Sequence, residues 1–159
     1  MKTARKVAAL FAVIAPLMLA GPAQASPPSI TATMAQTMVD AAARAAQEKG
    51  FSIVISIVDN HGNLKHFHRM DNTSVGSIEV SRLKASTSAQ FPVSTKVLAE
   101  RSAAMPANPY TAIPGFLLLE GGLPVMSKSG MHIGGIGISG ATPELDGQFA
   151  QAAIDQLNQ

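Results

Sequence analysis

The apolar positions fall into helical and strand periods that divide the chain into blocks. Ile30, Met34, Met38, Ala41 and Ala45 lie near one face of a helix, with Val39, Ala42 and Ala46 beside them. Thr31 or Ser29 can cap its start, and Gly50 marks its end. Residues 51–58 carry the β-branched run Ile53-Val54-Ile55-Ser56-Ile57-Val58, the pattern of a strand buried on both faces. The turn cluster Asp59-Asn60-His61-Gly62-Asn63 follows, and residues 64–70 return as the second strand of an antiparallel hairpin. Residues 74–89 read as a second helix, with Ile78, Val80, Leu83, Ala85 and Ala89 as its apolar positions. Pro92 separates it from a short third helix over Thr95–Ala103.

Pro106, Pro109 and Pro114 make residues 105–115 irregular. Leu117-Leu118-Leu119 is a short strand or a buried connector, and Gly121-Gly122 a turn. Residues 124–128 and 131–139 form a second hairpin around Ser129-Gly130. Gly134, Gly135 and Gly137 weaken its last strand but permit another backbone, or a flat ligand, to approach closely. Thr142-Pro143-Glu144 opens a final helix that runs to about Leu157: a cap, a proline at the first position and an acid in the first turn. Hairpins early and late, with helices between and around them, predict an α+β domain in which helices cover an antiparallel sheet.

The N-terminus changes how the charge is read. Lys2, Arg5 and Lys6 precede an uncharged apolar run over residues 7–20; Gly21-Pro22 breaks it, and Ala23-Gln24-Ala25 follows. That run is short for a permanent membrane span and suits a secretory signal with a small-x-small cleavage site, so residues 1–25 are expected to be removed by cleavage after Ala25. The alternative is an uncleaved anchor. The chain has twelve Lys and Arg against ten Asp and Glu, and the leader holds three of the cations and no anion. Residues 26–159 therefore carry nine against ten, a formal charge of −1, so the basic character belongs to the leader. Nothing in this balance argues for a nucleic-acid footprint or a polybasic membrane patch, and no membrane anchor is expected after cleavage. The expected location is periplasmic or secreted. With no cysteine, such a domain stands on packing, oligomer contacts or a bound ligand. One small domain suits this length.

Five short segments carry a resemblance: Ile57-Val58-Asp59-Asn60-His61-Gly62-Asn63-Leu64, Arg69-Met70-Asp71, Lys84-Ala85-Ser86-Thr87, Gly121-Gly122-Leu123-Pro124-Val125 and Gly134-Gly135-Ile136-Gly137-Ile138-Ser139-Gly140-Ala141. In this order they resemble the GlcG/HbpS family of haem-binding, haem-degrading-type domains, and equally the C-terminal part of PduO-type proteins, over nearly all of residues 30–157. The resemblance implies a five-stranded antiparallel sheet covered by helices, in a profilin- or roadblock-like layered arrangement, and homo-oligomers. It also implies haem or a related tetrapyrrole as cofactor. Iron release from haem, or redox sensing with a membrane sensor kinase as partner, are further activities it suggests.

Candidate chemistry gathers on the strand after the first turn. By alternation His66 and His68 share one face with Leu64 and Met70, while Lys65, Phe67 and Arg69 point the other way. Two imidazoles about 7 Å apart on one face can ligate a metal or offer an axial ligand to haem iron; the alternative is an exposed polar face. His61 and His132 are weaker candidates. The resemblance places two cations, Arg69 and Lys84, where they can pair with propionates. Their alternative is a structural bridge, Arg69 to Asp71 or Glu79 and Lys84 to Glu79. Asp59 reads as turn chemistry. Asp146 suits the dipole of the last helix and matches an acidic position of the family pattern. The methionines read as core filler. Absence of Cys-x-x-Cys-His excludes covalent haem attachment, and no serine nucleophile elbow, zinc signature or dinucleotide fingerprint is present.

Three functions compete at this level. The first is an exported haem-binding protein. The second is an enzyme acting on a small organic acid through Lys84, Arg69 and Asp146. The third is a non-catalytic oligomeric signalling subunit. The leader itself is directly testable: when the full chain is produced with a secretion apparatus, intact mass of the exported protein should correspond to a chain starting at Ser26, and retention of residues 1–25 would overturn the cleavage.

Overall fold

A computed structural model describes residues 28–158, so the expected leader lies outside the described residues. The elements are α1 (Ala32–Glu48), β1 (Val54–Asp59), β2 (Leu64–Arg69), α2 (Gly76–Gln90), α3 (Thr95–Ala103), a 3-10 turn (Pro109–Ala112), β3 (Gly122–Met126), β4 (His132–Ser139) and α4 (Pro143–Asn158). Each helix and both hairpins expected from periodicity are present. Thr31 caps α1 by accepting from the Met34 amide at 3.1 Å, and Ser94 caps α3 by accepting from Val97 at 3.2 Å. Among the described residues no helix is long and apolar enough to cross a membrane.

The strands form one antiparallel sheet in the order β2-β1-β4-β3. The sheet has four strands among the described residues, not five. Leu117-Leu118-Leu119 fails to become a strand because side chains satisfy its backbone. The Leu117 amide donates to Thr87 Oγ1 at 3.0 Å, and the Leu119 carbonyl accepts from Thr95 Oγ1 at 2.6 Å. The segment is tied to α2 and α3 instead of to a neighbouring strand.

Both faces of the sheet are covered. Ile53, Ile55 and Ile57 of β1 and Ile133, Ile136 and Ile138 of β4 pack with α1 and α4, where Met38, Val39, Ala42, Phe149 and Ala153 complete the main core. Each fully buried isoleucine contributes about 1.5–3 kcal/mol of burial. On the other face Val58 packs against Ala85 and Ala89 of α2, and the Ser56 hydroxyl pairs with Ser81 at 2.9 Å. This accounts for β1 being buried along its whole length.

The glycines of β4 set the second layer. Gly135 and Gly137 face α2, and a Cβ at Gly137 would collide with the Ser81 carbonyl and with the backbone of Ala85. Small residues recur along the same helix face at Ser77, Ser81, Ala85, Ser88 and Ala89. Bare backbone on one side and small side chains on the other let α2 lie flat on the sheet. The space that the glycines open is thus filled by a helix backbone and not by a flat ligand. Substituting Gly137→Ala should destabilise the domain by about 1–3 kcal/mol through overpacking, seen as a lower urea midpoint; an unchanged midpoint would contradict the contact.

Candidate functional site

Strand β2 is an edge strand, and its register decides which groups share a face. Ile55 pairs with His68, Ser56 with Phe67, Ile57 with His66, and Val58 with Leu64 after a register shift. His66 and His68 therefore share the face of Ile55 and Ile57, as alternation predicts. Leu64 does not. The irregularity at Lys65 carries Leu64 across to the α2 face, where it lines a shallow pocket with Val58 and Leu83.

His68 lies on the wall of a cleft of about 610 Å³. The cleft is bounded by the end of α1 (Gln47 and Gly50), by Phe51 and Ser52, and by the chain from Arg69 to Asn72. His66 is half-buried two residues away and is not in this lining. Among the described residues no three His, Asp or Glu side chains converge on a metal position. The histidine pair alone cannot complete a metal shell; further ligands must come from the bound group or elsewhere. The Met70 sulfur, at the same cleft, already accepts from the Ile53 amide at 3.4 Å.

His61 sits in the β1–β2 turn. There Asp59 Oδ1 accepts from the amides of His61 and Asn63, both at 2.9 Å, as turn chemistry requires. Burial pushes the Asp59 carboxyl up, but the bonds from Asn63 and His61 outweigh it and leave the group below its ordinary value. His132 pairs with Met126 at the far end of β4, and its buried Nε2 has no hydrogen-bond partner.

Arg69 makes neither of the bridges expected for it. Its Nε donates to Thr73 Oγ1 at 2.9 Å and its Nη2 to the Thr73 carbonyl at 3.0 Å. Asn72, at φ 63°, turns the chain back so that Thr73 reaches the guanidinium, and Thr73 Oγ1 in turn donates to the Met70 carbonyl at 3.1 Å. Among the described residues the ion pairs join Arg82 to Glu79, Lys84 to Asp146 and Lys96 to Glu120. Arg69 takes part in none.

Lys84 is not at the surface and does not meet Glu79. Its side chain is fully buried, and Nζ donates to Asp146 Oδ2 at 2.7 Å and to the Ile138 carbonyl at 2.8 Å. Asp146 Oδ1 accepts from the Ala141 amide at 3.1 Å. Burial pushes the Lys84 ammonium below its ordinary value and the Asp146 carboxyl above its own, against the support each gives the other. Gly121, at φ 122°, passes directly over the pair, and a Cβ there would stand 2.6 Å from Nζ. Beyond Gly121 opens a second cleft of about 430 Å³, lined by Lys96, Glu120, Glu144, Gln148 and Gln151 among others. Arg69, at the opposite edge of the sheet, does not join Lys84 and Asp146. The three groups assigned to an acid-converting enzyme thus do not converge.

Sequence reasoning found Asp146 and Lys84 singly but not as partners, and it missed Thr73. Their separation of 62 residues hides the pair.

This geometry defines a small α+β domain with an antiparallel sheet between two helical layers; at one sheet edge a cleft is lined by His68 and Arg69, which leave β2 on opposite faces, as alternation predicts. The chain belongs to the HbpS-like family: residues 30–155 match the family described as haem degrading protein HbpS-like. It is similar to protein GlcG of Escherichia coli K12, with 35% identity over 109 residues that cover 67% of this chain and 78% of GlcG. A double mutant of Streptomyces reticuli HbpS superposes with a TM-score of 0.79 at 32% identity, covering 93% of this chain and all of that one. A PduOC:haem complex superposes with a TM-score of 0.73 at 29% identity, covering 82% of this chain and 96% of that one.

The buried pair generates a stability prediction. Asp146→Asn leaves an unpaired buried ammonium and should cost about 3–5 kcal/mol, whereas Lys84→Met combined with Asp146→Asn should recover much of that loss. In the single variant Lys84 is depressed further, so the unfolded chain binds the proton more tightly. Stability should then rise as pH goes from about 7 towards about 10. Urea unfolding across that range checks both; a flat pH dependence would remove the buried charge from the account.

Proposed function

We propose that this protein is an exported haem-binding protein and that the cleft beside His68 takes the tetrapyrrole. One observation carries the reading: a relative of the same fold, PduOC, has been solved with haem. Within the cleft, His68 and Arg69 are the groups that would hold it, beside the apolar side chains of Phe51 and Met70. The cleft volume of about 610 Å³ lies in the usual range for a small-molecule or cofactor pocket. A half-buried imidazole stands on its wall, and among the described residues the guanidinium of Arg69 makes no ion pair. His68 would hold the iron through its imidazole, and Arg69, from the other face of β2 at the same end of the strand, would offer charge to a propionate. Bound haem would bring an iron centre capable of ligand exchange and redox change. His66, on the same face but outside the cleft, would contribute through the shape of the edge.

Lys84 has a different part in this reading. Its ammonium is committed to Asp146 and Ile138, so it supports the fold of the domain and does not meet propionates. Export rests on the leader over residues 1–25. Self-association is part of the proposal too: β2 leaves one edge of the sheet open, with Leu64 and Phe67 exposed along it.

Hemin titration of a chain beginning at Ser26 tests the reading. A Soret band should appear at one equivalent. His68→Ala should shift the band and weaken binding about tenfold, while His66→Ala should change affinity much less. A wild-type spectrum identical to free hemin would overturn the proposal. The shortened chain matters because the apolar leader can itself hold hemin.

A further inference from the structure

The contact between Arg69 and Thr73 has more to say about the ligand than the presence of a cation. A guanidinium offers five N–H donors in a fixed plane. Thr73 takes the side of the fork, accepting from Nε through its hydroxyl and from Nη2 through its carbonyl. The end of the fork, with one N–H from each terminal nitrogen, is left over, and this edge suits bidentate pairing with a carboxylate. Both atoms of Thr73 that hold Arg69 are neutral, so the guanidinium is fixed in place without being neutralised. Thr73 is itself buried and anchored to the Met70 carbonyl. Asp71 lies on the same cleft but makes no ion pair with Arg69.

We infer that Thr73 is a positioning residue that presents Arg69 as a preformed carboxylate receptor, so that the cleft selects tetrapyrroles with free propionates over neutral ones. The inference rests on the haem reading of the same cleft. Holding the long arginine side chain before the ligand arrives removes part of the ordering loss on binding. A carboxylate then gains two charge-assisted hydrogen bonds at an edge that takes no other hydrogen bond among the described residues.

The test compares hemin with hemin dimethyl ester, which keeps the ring and the iron but has no free carboxylate. Wild-type protein should bind hemin about tenfold tighter than the ester. Arg69→Gln should reduce that ratio to about one. Thr73→Val should reduce it about fivefold, and Thr73→Ser, which keeps the hydroxyl, should retain it. Because the wild-type comparison involves no substitution, loss of folding in a variant cannot imitate the effect. An unchanged ratio in Arg69→Gln, or a Thr73→Ser variant as impaired as Thr73→Val, would overturn the inference. Equal wild-type binding of the two compounds would also overturn it while leaving the haem reading in place. No spectral change with either compound would overturn the haem reading, and this inference with it. A fourth arm adds succinate: stabilisation by succinate that depends on Arg69, without discrimination between hemin and its ester, would assign the receptor to a free small acid and count against the inference.

Discussion

Lys84 reaches from α2, past the end of β3, to the Ile138 carbonyl and to Asp146 in the first turn of α4. The two helices cover opposite faces of the sheet, so this one ammonium joins both layers to the strand between them. Its position depends on what surrounds it. The Ile138 amide is taken by the Gly121 carbonyl at 3.0 Å, and the ammonium satisfies the Ile138 carbonyl on the same edge. Gly121 must be bare because a side chain would occupy the ammonium's place. A buried pair of this kind is weak evidence for net stability, because desolvation offsets the attraction. Its effect here is on arrangement: removing Asp146 leaves the buried ammonium with the Ile138 carbonyl but no counter-charge, removing Lys84 leaves that carbonyl without the ammonium, and this penalty disfavours other packings of α2 and α4.

The pair also distributes roles across the sheet. Around the buried pair, beside β3 and β4, polar groups are committed: Thr95 holds Leu119 and Gly122, and Asp146 holds Lys84 and Ala141. Around β2 commitment is looser. Among the described residues one side of that strand has no neighbour, His66 and His68 are half-buried, and the guanidinium of Arg69 is oriented but makes no ion pair. A rigid interior beside a partly uncommitted edge is the arrangement expected of a binding site, since the scaffold fixes groups whose bonds a ligand completes.

How much of this the sequence carries varies from residue to residue. The run Ile53–Val58 announced a strand buried on both faces, and β1 is one, because β-branched alternation encodes both packing surfaces locally. The pairing of His66 with His68 on one face followed from alternation alone. Leu64 escaped the same reasoning because a one-residue irregularity reverses which way a side chain points. Leu117-Leu118-Leu119 has the composition of a strand, but its backbone partners are Thr87 and Thr95, from helices that precede it in sequence. No local pattern reports a hydroxyl arriving from 24 or 30 residues away.

The sequence by itself determined the elements, the caps, the family resemblance and the charge balance, since each depends on neighbouring residues or on composition. Only the tertiary structure decided what the charged groups do. Arg69 and Lys84 look alike as cations placed by the same motif set. Folding leaves one at a cleft held by neutral Thr73 and buries the other against Asp146. The difference comes from where distant backbone and carboxylate groups lie once the layers have packed, because hydrogen bonds and desolvation act through space and not along the chain.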